Sequence, residues 1–232
     1  MPGILVAAEH IDGSLRDITG ELIGAAAALK DALGGPLMVA VIGDADGSLA
    51  EAANLEGVDE LLSVTAPDAH FDAALYEEAV CAIAAERTPG VILAPHSASG
   101  MAYGAAVAAR LGSGFASDVF DVQIESGEIN VTRGGYGGKV NMELGFPGKG
   151  MAVLMLRGAT FTAPEAKGAA EATALAPDFS ALEGAASHLK YQPAPPADVD
   201  IGKAEFIISV GRAVEDDKNI PKFAALAERL GA

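Results

Sequence analysis

The chain has 232 residues, half of them apolar, with 32 acidic side chains against 15 basic ones and a net charge of −17. Such a charge repels phosphate backbones and anionic lipid at long range, so nucleic acid and membrane surfaces are disfavoured as partners. The length suits one sizeable domain and part of another, since compact domains run to about 100–200 residues.

The first element is ILVAA at residues 4–8, an apolar strand signal that follows the N-terminus with no basic residue before it. Neither a secretory nor a mitochondrial leader is read there, and no run approaches the ~18 consecutive apolar residues that span a bilayer. A soluble, cytoplasmic protein is expected. Residues 19–33 then place Leu22, Ile23, Ala26, Leu29 and Leu33 on one helical face, closed by Gly34 and Gly35. LMVAVIG at 37–43 is continuously apolar, as a strand covered on both faces of a parallel sheet must be. LLSV at 61–64 and VILAP at 91–95 repeat the signal. Between them Phe71, Leu75, Ala79, Ala82 and Ile83 form a second helical stripe, and residues 100–111 form a third helix with a small-residue face. Strand and helix in alternation predict an α/β fold, mostly parallel, with flanking helices.

After Gly114 the texture changes. SDVFDVQIESGEINVTRGG carries two alternating runs joined by turn residues 125–128, a hairpin signal, and GKVNMELGF and KGMAVLMLRG follow. These four strands complete the sheet or fold against its edge. Residues 163–202, rich in Ala, Pro, Glu, Asp and Ser, read as a connector that is stiff and exposed at QPAPPADVDIG. The domains expected are therefore 1–162, a linker at 163–202, and the start of a second domain at 203–232. The last part reads as a strand at 206–210 and an amphipathic helix, with Asn219 able to cap it and Pro221 in its first turn. One strand and one helix cannot bury both their apolar faces, so more polypeptide or a partner is expected to cover them.

The candidate chemistry is sparse. There is no nucleophile elbow, no Walker lysine and no GxGxxG after the first strand. Cys81 is the single cysteine, which excludes an internal disulfide, and no two of His10, His70, His96 and His188 stand at ligand spacing; no metal site is read. Glu9, His10, Asp12 and Arg16 follow the first strand at the edge where open α/β folds place ligands, although a solvated loop capping the next helix accounts for them as well. His96, Ser97 and Ser99 lie where a strand meets a helix N-terminus, which suits either an anion or a helix cap. Arg133, Lys139 and Arg157 are basic residues among strands; Arg157 should need a carboxylate, Asp118 or Asp121. At the end of the chain, Gly211 permits close backbone approach and Arg212 offers a fork of donors to a phosphate, or else Arg212 pairs with Glu215 or Asp216.

Taken in order, APHSASGMAYGAAVAARLGSGFASDV, VTRGGYGGKV, LMLRGATFTAPE and IISVGRAVEDDKNIPKFAALAERLGA resemble the alpha subunit of electron-transferring flavoproteins, from Ile4 onward. The resemblance implies an N-terminal α/β domain packed on a beta subunit, a linker, and the first strand and helix of a Rossmann-like FAD domain. It implies FAD as cofactor, a dehydrogenase as electron donor, and a quinone reductase or other acceptor downstream. It also implies that the protein is an electron carrier rather than an enzyme. The family's Gly-Gly-Arg turn lies at the flavin; Gly211 and Arg212 match its last two residues, and Val210 stands in place of the first glycine. Further FAD-holding segments of the family have no counterpart after Ala232, so the chain is expected to be part of a longer protein. The alternatives are a nucleotide-binding α/β enzyme working near Glu9, His10 and His96, and a non-redox module that only assembles with a partner.

Overall fold

A computed structural model describes residues 2–125, 127–182, 188–192, 204 and 206–231. They form β1 (Ile4–Ala7), β2 (His10–Ile11), β3 (Ser14–Leu15), α1 (Asp17–Leu33), β4 (Leu37–Ile42), α2 (Ser48–Ala52), β5 (Glu60–Val64) and α3 (Ala73–Arg87). Then come β6 (Val91–Pro95), α4 (Ala98–Leu111), β7 (Gly114–Glu125), β8 (Glu128–Gly135), β9 (Val140–Gly145), β10 (Ala152–Leu156), β11 (Ala172–Leu175) and α5 (Ile220–Leu230). Two compact units divide the chain, Met1–His188 and Leu189–Ala232.

In the first unit nine strands make one sheet in the order β11-β5-β4-β1-β6-β10-β7-β8-β9. The strands from β11 to β7 run parallel, and β8 and β9 continue as antiparallel neighbours. This is the mostly parallel α/β architecture that the alternating strand and helix signals imply. Because successive strand residues face opposite ways, each apolar run feeds two cores. Ile4, Val6, Val39, Leu93 and Leu154 pack with Leu22, Ile23 and Ala26 of α1 on one face. Leu5, Ala40, Ile92, Val153 and Met155 pack with Val80 and Ile83 of α3 and with Tyr103 and Val107 of α4 on the other. A continuous apolar strand thus reports a sheet covered on both sides. The hairpin between β7 and β8 turns where expected, with Glu125 paired to Glu128.

Three elements carry too little signal to be read in advance. The short α2 has no room for a helical period; it exists because the carboxylate of Asp44, 2% exposed, accepts from the N–H groups of Leu49 and Ala50 at 3.2 and 2.8 Å. The hairpin of β2 and β3 is two residues a side. β11 arises from ATAL, an alanine-rich stretch with low strand propensity, inside what composition assigns to the connector. It forms because β5 offers an open edge, and Asn54 steers the chain onto it: its side-chain amide donates to the Ala170 carbonyl at 2.8 Å and its side-chain oxygen accepts from Ala170 N–H at 3.3 Å. To reach that edge the chain crosses α1 at two glycines. A Cβ on Gly24 would stand 1.9 Å from the Thr162 carbonyl oxygen, and one on Gly20 would stand 2.9 Å from the Ala163 side chain. Residues 163–182 therefore run back along the first unit. Of the other connector residues, 188–192 are described, and 183–187 and 193–202 lie outside the described residues.

In the second unit α5 carries Pro221 in its first turn, as expected. Two details differ from expectation. Residues 206–210 belong to no strand, because a strand is held by its ladder and the described residues of this unit include no other strand. Asn219 does not cap the helix. Its amide donates to the Val214 carbonyl at 3.1 Å and its oxygen accepts from Lys222 Nζ at 3.0 Å, so the side chain is engaged elsewhere. Ile220, Leu226 and Leu230 of α5 are exposed, as are Phe206 and Ile207.

Candidate functional site

The strand order reverses direction at β1: the chain goes outward through β4 and β5, then returns to place β6 on the other side of β1. In open α/β sheets the crevice at the carboxyl ends of two such strands is the usual ligand site. Here it is closed by the protein itself. Glu9, just beyond β1, accepts a hydrogen bond of 2.7 Å from the hydroxyl of Ser97, just beyond β6. The same hydroxyl accepts from Gly100 N–H at 3.0 Å, so Ser97 caps α4. Thr19 clamps the backbone of Glu9 through its N–H and carbonyl, both at 2.9 Å. A carboxylate fixed at this crevice repels a phosphate, which counts against the nucleotide-enzyme reading. His10 is buried and directs Nε2 at the Ile42 carbonyl, 2.6 Å away, so it is tied to β4 and not grouped with His96. Asp12 lies in the short β2–β3 turn and is exposed.

One step along the sheet, at β6, β10 and β7, several polar side chains do converge. Their placement follows from irregular pairing. Leu154 and Leu156 of β10 oppose Ala116 and Val119 of β7, so β7 carries an extra residue between them, and Asp118 there adopts φ +59°. A second shift follows between Val119 and Asp121 against β8. Bulges of this kind bend a strand and re-aim its side chains. Asp118 thereby meets Arg157, at the end of β10, in a two-pronged pair with Nε to Oδ1 and Nη2 to Oδ2 both at 2.8 Å. Phe120 lies beneath it, the guanidinium carbon 4.8 Å from the ring centroid. Of the two carboxylates that the sequence offers to Arg157, the structure selects Asp118; Asp121 accepts from Gln123 instead. His96 Nε2 stands 3.9 Å from Asp118, beyond hydrogen-bond reach. Arg133 of β8 faces the same space, with the glycine loop 134–138 as its rim, around a cavity of about 520 Å³. Lys139 lies just past that rim and is exposed.

The hydrogen bonds from Arg157 hold the Asp118 carboxyl below its ordinary value, against an opposing effect of burial. A carboxyl depressed in the folded state stabilises the fold above its unfolded value, and the contribution is lost as pH falls through the folded value. Thermal midpoints measured from about pH 6 down to about pH 3 are therefore expected to fall more steeply for the native sequence than for Asp118→Asn, which does not titrate. Asparagine tolerates a left-handed backbone, so this substitution leaves the bulge intact. Parallel curves would remove the ion pair from the stability of the site.

Gly211 and Arg212 belong to the second unit. Both are exposed, and a Cβ on Gly211 would meet nothing within 4 Å. Glu215 and Asp216 close on the backbone nearby, with Glu215 N–H donating to the Arg212 carbonyl at 3.1 Å. Among the described residues no group of three or more His, Cys, Asp or Glu side chains is placed to hold a metal ion, and no helix is long and apolar enough to cross a membrane. Cys81 is buried in α3 and reads as core.

Residues 4–181, which span the whole sheet and the basin around Arg133 and Arg157, match the family described as Electron transfer flavoprotein domain. The chain belongs to that family. Over 233 residues it is 37% identical to the electron transfer flavoprotein subunit alpha of Methylophilus methylotrophus, covering 100% of this chain and 72% of that protein. It is 28% identical to the protein FixB of Clostridium saccharobutylicum, covering 99% of this chain and 70% of that one. A third relative is the lactate dehydrogenase (NAD(+),ferredoxin) subunit LctC of Acetobacterium woodii, 26% identical over 99% of this chain and 56% of its own length. Electron transfer flavoprotein alpha subunits are electron carriers, so the flavoprotein character and the electron-transfer role read from the ordered motifs are supported, and the alternatives are not favoured. Arg212 lies beyond residues 4–181 but within the stretch that aligns with the Methylophilus methylotrophus protein.

Proposed function

We propose that the chain is the alpha-type subunit of a heterodimeric electron-transferring flavoprotein. It takes electrons from a dehydrogenase and delivers them to a quinone reductase or other acceptor in the cytoplasm. The observation that carries this reading is the full-length likeness to the Methylophilus methylotrophus alpha subunit. In this reading the first unit is the scaffold that pairs with a beta subunit, and the residues after β11 tether a unit that begins an FAD-binding domain. The cofactor, when bound, supplies the reversible uptake of electrons. The chain's own residues position and tune it. Gly211 leaves backbone open to a flat ring, and Arg212 presents an unshielded guanidinium from the same turn. A fixed positive charge there favours the negative charge that arrives with electrons. An open glycine beside an exposed arginine fits a flavin approaching this turn.

The test is made on the full-length protein with its partner subunit. The purified complex is expected to be yellow and to carry flavin. Arg212→Ala is expected to weaken flavin retention about 10- to 100-fold, the loss of one charge-assisted hydrogen bond of ~1.5–3 kcal/mol, with Arg212→Lys intermediate. Flavin-to-protein ratio after gel filtration reads both. A colourless native complex removes the carrier reading; a variant that retains flavin undiminished removes Arg212 from the site alone.

A further inference from the structure

The basin at the ends of β6, β10 and β7 has no part in the electron-carrier reading, and its polar groups are incompletely satisfied. We propose that His96, Arg133 and Arg157 together hold the oxyanion group, phosphate or carboxylate, of a small molecule. Arg133 Nε is buried without a hydrogen-bond partner, and so is His96 Nδ1. Both residues line the same cavity. Leaving a buried donor unmade costs about 1–3 kcal/mol, more when the group is charged. An oxyanion in the cavity would be met by the open part of the Arg133 guanidinium and of the His96 ring, which line it, and would draw both side chains toward it.

Charge supports the same occupant. Both oxygens of Asp118 are taken by Arg157. With one carboxylate against two guanidinium groups, the cavity keeps a net positive charge from Arg133, in a chain whose net charge is −17. Local positive potential in an acidic protein marks a place for an anion, because elsewhere the surface repels one. The neighbouring crevice cannot serve, since Glu9 occupies it.

The rim is shaped for approach. A Cβ on Gly134 would stand 2.8 Å from Asp118 Oδ2 and 2.9 Å from Arg157 Nη2, so only glycine lets the ion pair lie against the backbone of β8. Tyr136 follows at φ +51°, 81% exposed, and the Cβ positions of Gly137 and Gly138 just beyond it are open space. It offers a ring face at the mouth for the uncharged part of a ligand. About 520 Å³ is more than a bare ion needs and falls within the range of small-molecule sites.

This inference is independent of Arg212 and of the flavin, and it fails or stands separately. The experiment uses the full-length protein, purified without phosphate, and follows its thermal midpoint with inorganic phosphate, pyrophosphate or malonate against chloride at equal ionic strength. A dose-dependent rise with an oxyanion is expected, through binding to the folded state alone. Arg133→Met is expected to weaken that binding about tenfold or more, with Arg133→Lys between the two. In anion-free buffer Arg133→Met should be about as stable as the native protein, because losing a buried Nε that has no partner offsets losing the attraction between Arg133 and Asp118. A stronger response to phosphate than to malonate assigns the phosphoryl group, and the converse the carboxylate. No response to any oxyanion overturns the proposal, as does an unchanged response in Arg133→Met. A loss of stability in Arg133→Met without anion overturns it too, as does an effect of Arg133→Met confined to association with a partner chain.

Discussion

Gly100→Ala is expected to unfold about 5–10 °C below the native protein. Gly100 lies in the first turn of α4, and a Cβ there would stand 1.9 Å from the carbonyl oxygen of Pro95 and 3.0 Å from its carbonyl carbon. Neither atom can swing aside, since Pro95 is the last residue of β6, in register with Leu156 of β10, and the next residue's N–H is bonded to the Leu156 carbonyl. Two effects favour the alanine: it is the better helix former by about 1 kcal/mol, and it restricts the unfolded chain by ~0.4–1 kcal/mol. A backbone overlap of more than an ångström outweighs both, because the helix must lift from the strand and surrender the packing of Tyr103 and Val107. Overpacking costs typically 1–3 kcal/mol and sometimes more, so a net loss of ~2–3 kcal/mol is expected. In a domain of this size that corresponds to about 2–4 °C per kcal/mol. Thermal unfolding followed by circular dichroism reads it. A midpoint at or above the native value would mean that α4 does not approach β6 as described, and the positions of Ser97 and His96 at its start would fall with it.

The fold is legible in the sequence where burial sets the pattern. Residues 37–43 and 91–95 are apolar throughout because both faces of the sheet are covered, and α1 shows a stripe because only one of its faces meets the sheet. Legibility ends where a partner segment, not the local residues, makes the element. β11 is a strand only because β5 has a free edge, and its alanines say nothing of that. Residues 206–210 show the opposite error: a strand-like apolar run belongs to no strand among the described residues, since β propensity without a neighbour forms no ladder.

The candidate site divides in the same way. That Arg157 needs a carboxylate follows from its place after an apolar strand, and the partner is one of the two the sequence offers. That Asp118 is the one depends on a bulge in β7, set by a register between strands nearly forty residues apart, which periodicity does not report. The convergence of Arg133 and His96 on one cavity comes from β8 and β6 lying on either side of β7 and β10. The signal available was the glycine run 134–138, since an uninterrupted strand has little use for it. The stripe of Gly20 and Gly24 on α1 was likewise present; spaced four apart on one helical face, such residues mark where another chain segment crosses closely.

Leu154→Ala is expected to cost about 3–4 kcal/mol and to lower the midpoint by about 10 °C. Leu154 is fully buried at the middle of β10, with Leu93 of β6 on one side and Ala116 of β7 on the other. Leucine-to-alanine losses in cores run from about 2 to 5 kcal/mol, and the spread reflects how far the surroundings collapse into the space left. Here the neighbours are strand backbones in fixed register and the side chains of α1, which leave little freedom to close, so the lowest values of the range do not apply. Met101→Ala is the matched control: it also truncates a large apolar side chain, but on the outer side of α4 at 57% exposure, and it should change stability by no more than about 0.5 kcal/mol. The contrast has a second consequence. β10 joins the parallel half of the sheet to the β7–β9 extension that carries Asp118 and Arg133, so loosening it should also broaden the geometry of the basin. If Leu154→Ala and Met101→Ala proved equally mild, β10 would not be the seam between the two halves, and the ends of β6, β10 and β7 would not be held as one surface.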